Sequence, residues 1–349
     1  MLGVAKTKAE PGIDLVDVDL PEPDDHFVLV KVDTVGICGS DVHIYEWTPG
    51  YEFMQDKFPI IIGHELSGTV VECGQATSSR LKNGDRITLG VPPGCGKCRF
   101  CRNDQVIYCE KCVPVGRTGL DHNGAMAEYF TVHENSLYRL PDNVSFLEGA
   151  MTEPAAVSLG AVQLARWNPG DTVLVTGPGP IGLIIVQLCS IFGAGKIVVA
   201  GLSSDIHRLE MASQMGAHET LMVDKCGFDG IRKAVGPNGA DAVFEASGSA
   251  QAAAQGLEVL RKGGDMILAG IYSRPIPFDA THHIVRQMKS IKGSYAGPHP
   301  ARVLDLLAKG KLNLKPLVSE ILPLSDAGRG FEMARDTTNF KILMKPEEG

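Results

Sequence analysis

Nowhere does this sequence hold an apolar run of the roughly 20 residues needed to cross a bilayer, and it contains no block of lysine and arginine. The first absence predicts no membrane span. The second, together with a formal net charge of -8, leaves no basic face for the phosphates of a nucleic acid. Internal repeats and low-complexity linkers are also missing. The opening stretch MLGVAKTKAEPGIDLVDVDL alternates apolar and polar residues and carries acids early, so it lacks the uninterrupted apolar core of a secretory signal. A cytoplasmic chain with reduced thiols is therefore expected, and disulfides are the least expected use of its nine cysteines.

What is present points to two domains. At 349 residues and 44% hydrophobic content the chain exceeds one ordinary domain and can fill two cores. From about Asp14 to Gly90, FVLVKVDTVGI, GTVVECG and DRITLGV read as short strands punctuated by glycine, proline and aspartate, with no helical period. This predicts a compact β-barrel. Beyond Ala155 the pattern alternates: strand DTVLVT, helix GPIGLIIVQLCSIFGA, strand KIVVAG, helix IHRLEMASQMGA, strand ETLMV, then ADAVFEAS, helix AQAAAQGLEVLRKGG and strand DMILAGI. Such alternation predicts an α/β domain, a doubly wound parallel sheet with helices on both faces. The expected division is 1–155, with a cysteine-rich lobe at 92–112, then 156–296 for the doubly wound domain, and 297–349 returning to the first domain. A ligand is expected in the cleft between them.

Five of the nine cysteines fall in PPGCGKCRFCRNDQVIYCEKC, residues 92–112. Cys95, Cys98, Cys101 and Cys109 follow C-x2-C-x2-C-x7-C, and Gly94 and Gly96 free the backbone to wrap. Four thiolates gathered by tight turns make the tetrahedral sulfur shell that Zn²⁺ takes in closed, structural sites. An iron–sulfur cluster also uses four cysteines. Cys112 reads as a spare thiol. A closed site does no chemistry, so the reactive groups must lie elsewhere.

Cys38 in VGICGSDVHIYEW, His64 and Glu65 in FPIIIGHELSG, and Glu153 in MTEPAAV are set among apolar residues and short turns. Singly, each is more often a packing or hydrogen-bonded structural residue. Together a thiolate, an imidazole and carboxylates form an incomplete shell that leaves a position for water or substrate, as a catalytic zinc requires. TVLVTGPGPIGLIIVQL then sets Gly177, Gly179 and Gly182, with Pro180 and Ile181 between the last two, at the junction of an apolar strand and an apolar helix. That context suits the dinucleotide fingerprint: a tight turn, close backbone approach to a pyrophosphate, and a helix N-terminus facing negative charge.

With GICGSDVHIYEW, GHELSGTV, the four-cysteine lobe, EPAAVSLGAV and GPGPIGL in place, the chain resembles the zinc-dependent medium-chain dehydrogenases over nearly its whole length. CGSDVHIYEW is similar to the threonine dehydrogenases and KPLVSEILPL to the sorbitol-type polyol dehydrogenases. The resemblance implies a GroES-like catalytic domain, a Rossmann domain, one catalytic and one structural zinc, NAD(P), and a homo-oligomer, dimer or tetramer. It implies that Cys38, His64 and Glu65 are metal-site positions, that Glu153 is an exchangeable ligand or supporting carboxylate, and that Ser40 and His43 relay the proton. The implied reaction is oxidation of a polar secondary alcohol, a polyol or sugar alcohol, to a ketone. L-threonine 3-dehydrogenase or another amino-alcohol dehydrogenase is the alternative, and a nucleotide-binding regulatory protein without catalysis is the alternative of another class.

Two stretches set expectations about specificity. KGSYAG places Ser294 and Tyr295 where polyol enzymes are expected to hold a basic residue beside a tyrosine, which makes Tyr295 a candidate substrate residue. Ile44 stands where the sorbitol-type enzymes have an aromatic. In KIVVAGLSSDIHRLEMA the second strand of the doubly wound domain ends at Gly201, without the carboxylate that usually accepts the adenosine ribose and repels a 2′-phosphate. Ser203, Ser204 and Arg208 are candidate phosphate partners, with Asp205 expected as a helix N-cap. NADP is therefore expected to be accepted and mildly preferred.

Overall fold

Valine at 28, 30, 32 and 35 makes the segment from 27 to 36 β-branched on much of its length, which favours a pleated sheet. In the computed structural model, which describes residues 1–78, 80–91, 94–103, 105–109 and 117–347, this segment is a strand. The chain forms two compact units, Met1–Pro154 with Pro300–Gly349, and Ala155–His299. The first unit runs through β1 (Leu2–Lys6), β2 (Asp14–Asp17), β3 (Phe27–Gly36), α1 (Gly39–Glu46), β4 (Ile60–Ile61), β5 (Glu65–Cys73), β6 (Arg86–Leu89), β7 (Tyr129–His133), β8 (Leu137–Arg139) and α2 (Phe146–Ala150), and α3 (Thr152–Leu164) leads out of it. The second holds β9 (Thr172–Thr176), α4 (Pro180–Ile191), β10 (Lys196–Gly201), α5 (Ile206–Gln214), β11 (Glu219–Met222), α6 (Val223–Val235), β12 (Ala240–Glu245), α7 (Ala250–Val259), β13 (Leu260–Leu268) and β14 (Ser290–Gly293). The chain returns to the first unit with α8 (Pro300–Ala308), β15 (Val318–Pro323), α9 (Ala327–Arg335) and β16 (Lys341–Lys345).

Within the first unit, β15-β16-β3-β5-β6-β8 form one sheet with β7 also paired to β3, and β2-β1-β4 form another. Val28, Val30, Val32, Val35, Leu66, Ile87 and Phe130 meet in its core. The late strand β16 lies antiparallel beside β3, with Leu343 opposite Gly36, so a segment from the far end of the chain borders the strand that leads into Cys38. In the second unit the six-stranded order is β11-β10-β9-β12-β13-β14, and every pairing is parallel. The strand order reverses between β9 and β12. Ligands of such sheets bind outside the carboxyl ends of the strands at that reversal.

The structure departs from the sequence reading in three places. Helix α1 lies inside the stretch read as strands: its eight residues are too short for a period to register, and it is started by Asp41, whose Oδ2 accepts the Cys38 N–H at 2.9 Å. Helix α6 was invisible because Gly227 breaks it at φ +65°. Helix α7 stops at Val259 rather than running through RKGG, since Leu260 already opens β13. Cys112 lies outside the described residues.

One buried carboxylate ties the edge of the parallel sheet together. Asp265 Oδ2 accepts from the Arg166 backbone N–H at 2.8 Å and from Lys292 Nζ at 2.7 Å, while Oδ1 accepts from the Arg166 guanidinium at 2.7 Å. Burial alone would raise its pKa, but these charge-assisted bonds outweigh it and hold the carboxyl well below the usual range. A depressed folded-state pKa gives stability that is complete above the unfolded value of about 3.9 and is lost as pH falls toward the folded one. Asp265→Asn should therefore lower stability at pH 7 by about 2 kcal/mol. Urea unfolding of both proteins across pH should show the gap narrowing below about pH 4.

Candidate metal centre and dinucleotide turn

The end of β3, the start of α1 and the start of β5 converge in the first unit. Cys38 precedes α1, Glu65 opens β5 with His64 just before it, and their ligand atoms all lie within 4.8 Å of one another. Gly36 makes this possible: a Cβ there would collide with Glu65 Oε2 and lie 3.0 Å from Lys341 Cε. Glu65 and Lys341 are both buried and form an ion pair. Lys341 Nζ also donates to the Ile37 carbonyl at 2.8 Å. Burial works against the Lys341 charge, but Glu65 and Cys38 outweigh it and raise its pKa.

The imidazole is held from both sides. His64 Nδ1 faces Asp41 Oδ1 at 3.7 Å and Nε2 lies 3.4 Å from Ser40 Oγ. Asp41 is fully buried, and its desolvation raises its pKa against the pull of His64. Burial would lower His64, yet Asp41 and Cys38 raise it well above its ordinary value. Asp41 Oδ1, His64 Nδ1 and Glu65 Oε1 are buried and have no hydrogen-bond partner among the described residues. A soft thiolate, an imidazole and a carboxylate with unused buried polar atoms match the donor set of an open zinc site. Glu153, at the start of α3, is outside this cluster. Its carboxyl is pushed up to about 7 by burial, with Glu65 and Asp41 adding to the rise against the pull of His64.

Ser40 and His43 stand three residues apart on α1, with no direct hydrogen bond between them among the described residues. His43 Nδ1 lies 3.3 Å from Thr48 Oγ1 and its ring stacks on Tyr51. Ile44, set against the sorbitol enzymes in the sequence, is fully buried in the core, so its identity answers to packing. Tyr295 follows β14 and is 75% exposed; it belongs to the second unit, not to the one that carries the thiolate cluster.

Cys95, Cys98, Cys101 and Cys109 form a second cluster, with ligand atoms again within 4.8 Å of one another. Sulfur separations of 3.5 Å (Cys98–Cys101), 3.8 Å (Cys98–Cys109) and 4.0 Å (Cys95–Cys101) are far beyond a disulfide bond of about 2.05 Å. Backbone N–H groups of Cys98 and Cys101 point at the sulfurs of Cys95 and Cys98. Hydrogen bonds from the backbone at Lys97 and Cys98 bring the Cys95 thiol down to about 6, while burial and the Cys98 contact push Cys101 up to about 12. These donors fit a closed four-thiolate metal site.

In the second unit Gly177 adopts φ +91°, where a Cβ would press on Ser247 N at 2.6 Å. A Cβ on Gly182 would collide with the Gly177 carbonyl. Gly179 is the N-cap of α4, with Pro180 at the first helical position, Ile181 next, and open space where its side chain would be. The turn thus presents an unobstructed helix N-terminus of the kind that holds a pyrophosphate.

The end of β10 differs from the sequence reading. A Cβ on Gly201 would lie 3.0 Å from Pro178 Cγ and 3.2 Å from Asp205 Oδ2, so glycine here serves packing. Ser203 donates both its backbone N–H, at 2.7 Å, and its hydroxyl, at 2.5 Å, to Asp224. The Ser203 hydroxyl, a candidate phosphate partner in the sequence, is thus turned toward Asp224. Asp205 is the N-cap residue of α5 as expected, but its carboxylate turns back to accept the Leu202 N–H at 2.8 Å rather than an N–H of the helix. Ser204 is exposed, and Arg208 lies in the first turn of α5.

Several polar residues went unnoticed in the sequence. Asp41 was signalled by its place three residues after Cys38. Glu245 ends an apolar strand, which is itself a signal; fully buried, it accepts from Ser247 N at 2.8 Å, Gly248 N at 3.1 Å, Thr176 Oγ1 at 3.3 Å and the Tyr272 hydroxyl. Lys341 and Asp224 carried no local signal.

A family model described as alcohol dehydrogenase GroES-like domain matches residues 24–142, and one described as zinc-binding dehydrogenase matches residues 180–309. D-arabitol-phosphate dehydrogenase of Enterococcus avium is 33% identical over 100% of this chain and 99% of its own. Sorbitol dehydrogenase of Halalkalibacterium halodurans is 34% identical over 93% of each. A protein of Sinorhizobium meliloti 1021, described as a zinc-binding dehydrogenase and solved with NADP, superposes with a TM-score of 0.87 at 28% identity over 99% of both chains.

The Lys341–Glu65 pair makes a direct prediction. Removing one partner of a buried pair strands the other, at about 3 kcal/mol or more. Lys341→Met should therefore destabilise the protein by that amount, read as a lower denaturation midpoint, and an unchanged midpoint would show that the pair contributes nothing.

Proposed function

The chain belongs to the zinc-dependent medium-chain dehydrogenase family, and on that footing we propose that it oxidises a polyol-type secondary alcohol to a ketone with NAD(P). The observation that carries this reading is the convergence of Cys38, His64 and Glu65 within 4.8 Å beside buried, unpartnered polar atoms. These three residues would hold the catalytic zinc, with Glu153 near enough in charge to act as an exchangeable carboxylate. Cys95, Cys98, Cys101 and Cys109 would hold the structural one. When bound, zinc supplies a Lewis acid that acidifies the substrate hydroxyl, and the nicotinamide ring accepts the hydride.

The chain's own groups do the rest. Ser40 Oγ, beside His64 Nε2, would take up the hydroxyl proton as it gives its own to His43, one turn along α1, whose ring then releases a proton to solvent. Asp41 orients His64 from the opposite ring nitrogen. Lys341 offsets the Glu65 charge, so that the cluster does not gather uncompensated anions. Gly177, Gly179, Pro180, Ile181 and Gly182 seat the pyrophosphate. Gly201, Ser204 and Arg208 support the admission of either cofactor form.

The polyol class is supported by the sorbitol and arabitol-phosphate enzymes to which the chain is similar; an amino alcohol such as threonine remains the second reading on CGSDVHIYEW. A dimer or tetramer is proposed as well, supported by the exposed apolar Val285 and Met288 beside the edge strand β14. No helix among the described residues is long and apolar enough to cross a membrane.

The test pairs two variants with zinc analysis and a panel of polyols, amino alcohols and 1,2-diols under both cofactors. Cys38→Ser should lose the removable zinc and more than about a thousandfold in turnover, with cofactor binding largely intact. Cys101→Ser should lose the other zinc and cost mainly stability or assembly. Near-normal turnover in zinc-free Cys38→Ser sinks the catalytic assignment.

A further inference from the structure

Gly201 pairs with Met222 in the parallel register of β10 and β11. The residues that follow each strand, Leu202–Ser203 and Val223–Asp224, therefore run side by side at the carboxyl edge of the sheet. Two bonds from Ser203 fix the Asp224 carboxylate there, and that hydrogen bonding lowers its pKa, so it is anionic at neutral pH. The second strand of such a sheet is where the adenosine ribose is read. In this chain the strand end itself has no carboxylate, because Gly201 packs against Pro178.

We propose that Asp224, reaching from the end of the neighbouring strand and held by Ser203, is the carboxylate that selects NAD over NADP. This rests on the reading of the second unit as a nicotinamide dinucleotide site, and it reverses the mild NADP preference expected from the sequence. An ionised carboxylate can accept hydrogen bonds from a ribose diol and repels a 2′-phosphate. The Ser203 hydroxyl, a candidate partner for that phosphate, donates to the same carboxylate. The neighbouring cations pull the other way: Lys225 Nζ lies 3.7 Å from Asp224 Oδ2, and Arg208 sits in the first turn of α5. Once Asp224 is neutral, the positive charge of Lys225 and Arg208 is no longer opposed by a carboxylate there.

Binding of NADH and NADPH, followed by fluorescence titration of the full-length protein, separates the terms without relying on turnover. Wild type should bind NADH at least about tenfold more tightly than NADPH, since like-charge juxtaposition weakens binding of the 2′-phosphate. Asp224→Asn should shift that ratio toward NADPH by at least about tenfold, mostly through tighter NADPH binding. Ser203→Ala, which keeps the charge and the backbone N–H bond but removes the hydroxyl bond to Asp224, should shift it less and serves as the control for local disorder. A ratio unchanged in a folded Asp224→Asn, or a wild type that prefers NADPH, overturns the role of Asp224. Failure of wild type to bind either form overturns the dinucleotide reading itself.

Discussion

Most of what this protein must do depends on keeping several acids together in one buried place. Cys38 and Glu65 cluster with His64, Asp41 faces its Nδ1, Glu153 acts on it through its charge, and Lys341 pairs with Glu65. Carboxylates stripped of water repel one another strongly unless cations intervene. Asp41 and Glu153 show the strain as raised pKa values, and Lys341 shows the response as a charge retained despite burial. A divalent cation suits such a neighbourhood better than any further side chain could. The glycine at 36 follows from the same demand, since the space a methyl group would take belongs to the ion pair.

The second unit solves a different problem with the same kind of economy. Its parallel sheet brings strand ends to one edge, and glycines at 177 and 182 let the turn and helix close over them. Glu245 then ties together what leaves β9, β12 and β13. The cofactor turn is thus preorganised by backbone packing and one buried carboxylate.

Legibility in the sequence followed distance along the chain. The four clustered cysteines and the glycine-rich turn were readable because their partners are local, and the strand and helix alternation announced the parallel sheet. His64 and Glu65 were readable as neighbours. Lys341 was not, because nothing in its surroundings marks it as the partner of a residue near the other end, and only the β16–β3 register brings it there. The bond between Asp224 and Ser203 has no sign in the sequence for a related reason: the two residues follow different strands, β11 and β10, and only the parallel register brings them together. Gly201 also has a packing reason that the sequence does not display, since a Cβ there would lie 3.0 Å from Pro178 Cγ. Helix α1 escaped notice through shortness, and α6 through the break at Gly227.

The discontinuity of the first unit has a temporal side. A ribosome makes Cys38, His64 and Glu65 early, then the entire nucleotide unit, and only afterwards β16 with Lys341. Until that strand docks, the nascent chain carries β3 without its neighbour on one side and Glu65 without its counter-charge, while the parallel sheet, contiguous in the chain, can already be complete. Biogenesis of this protein is therefore vectorial in one half and deferred in the other. The interval between the two is when its unpaired acids and open strand edge are most in need of a chaperone or an early metal ion.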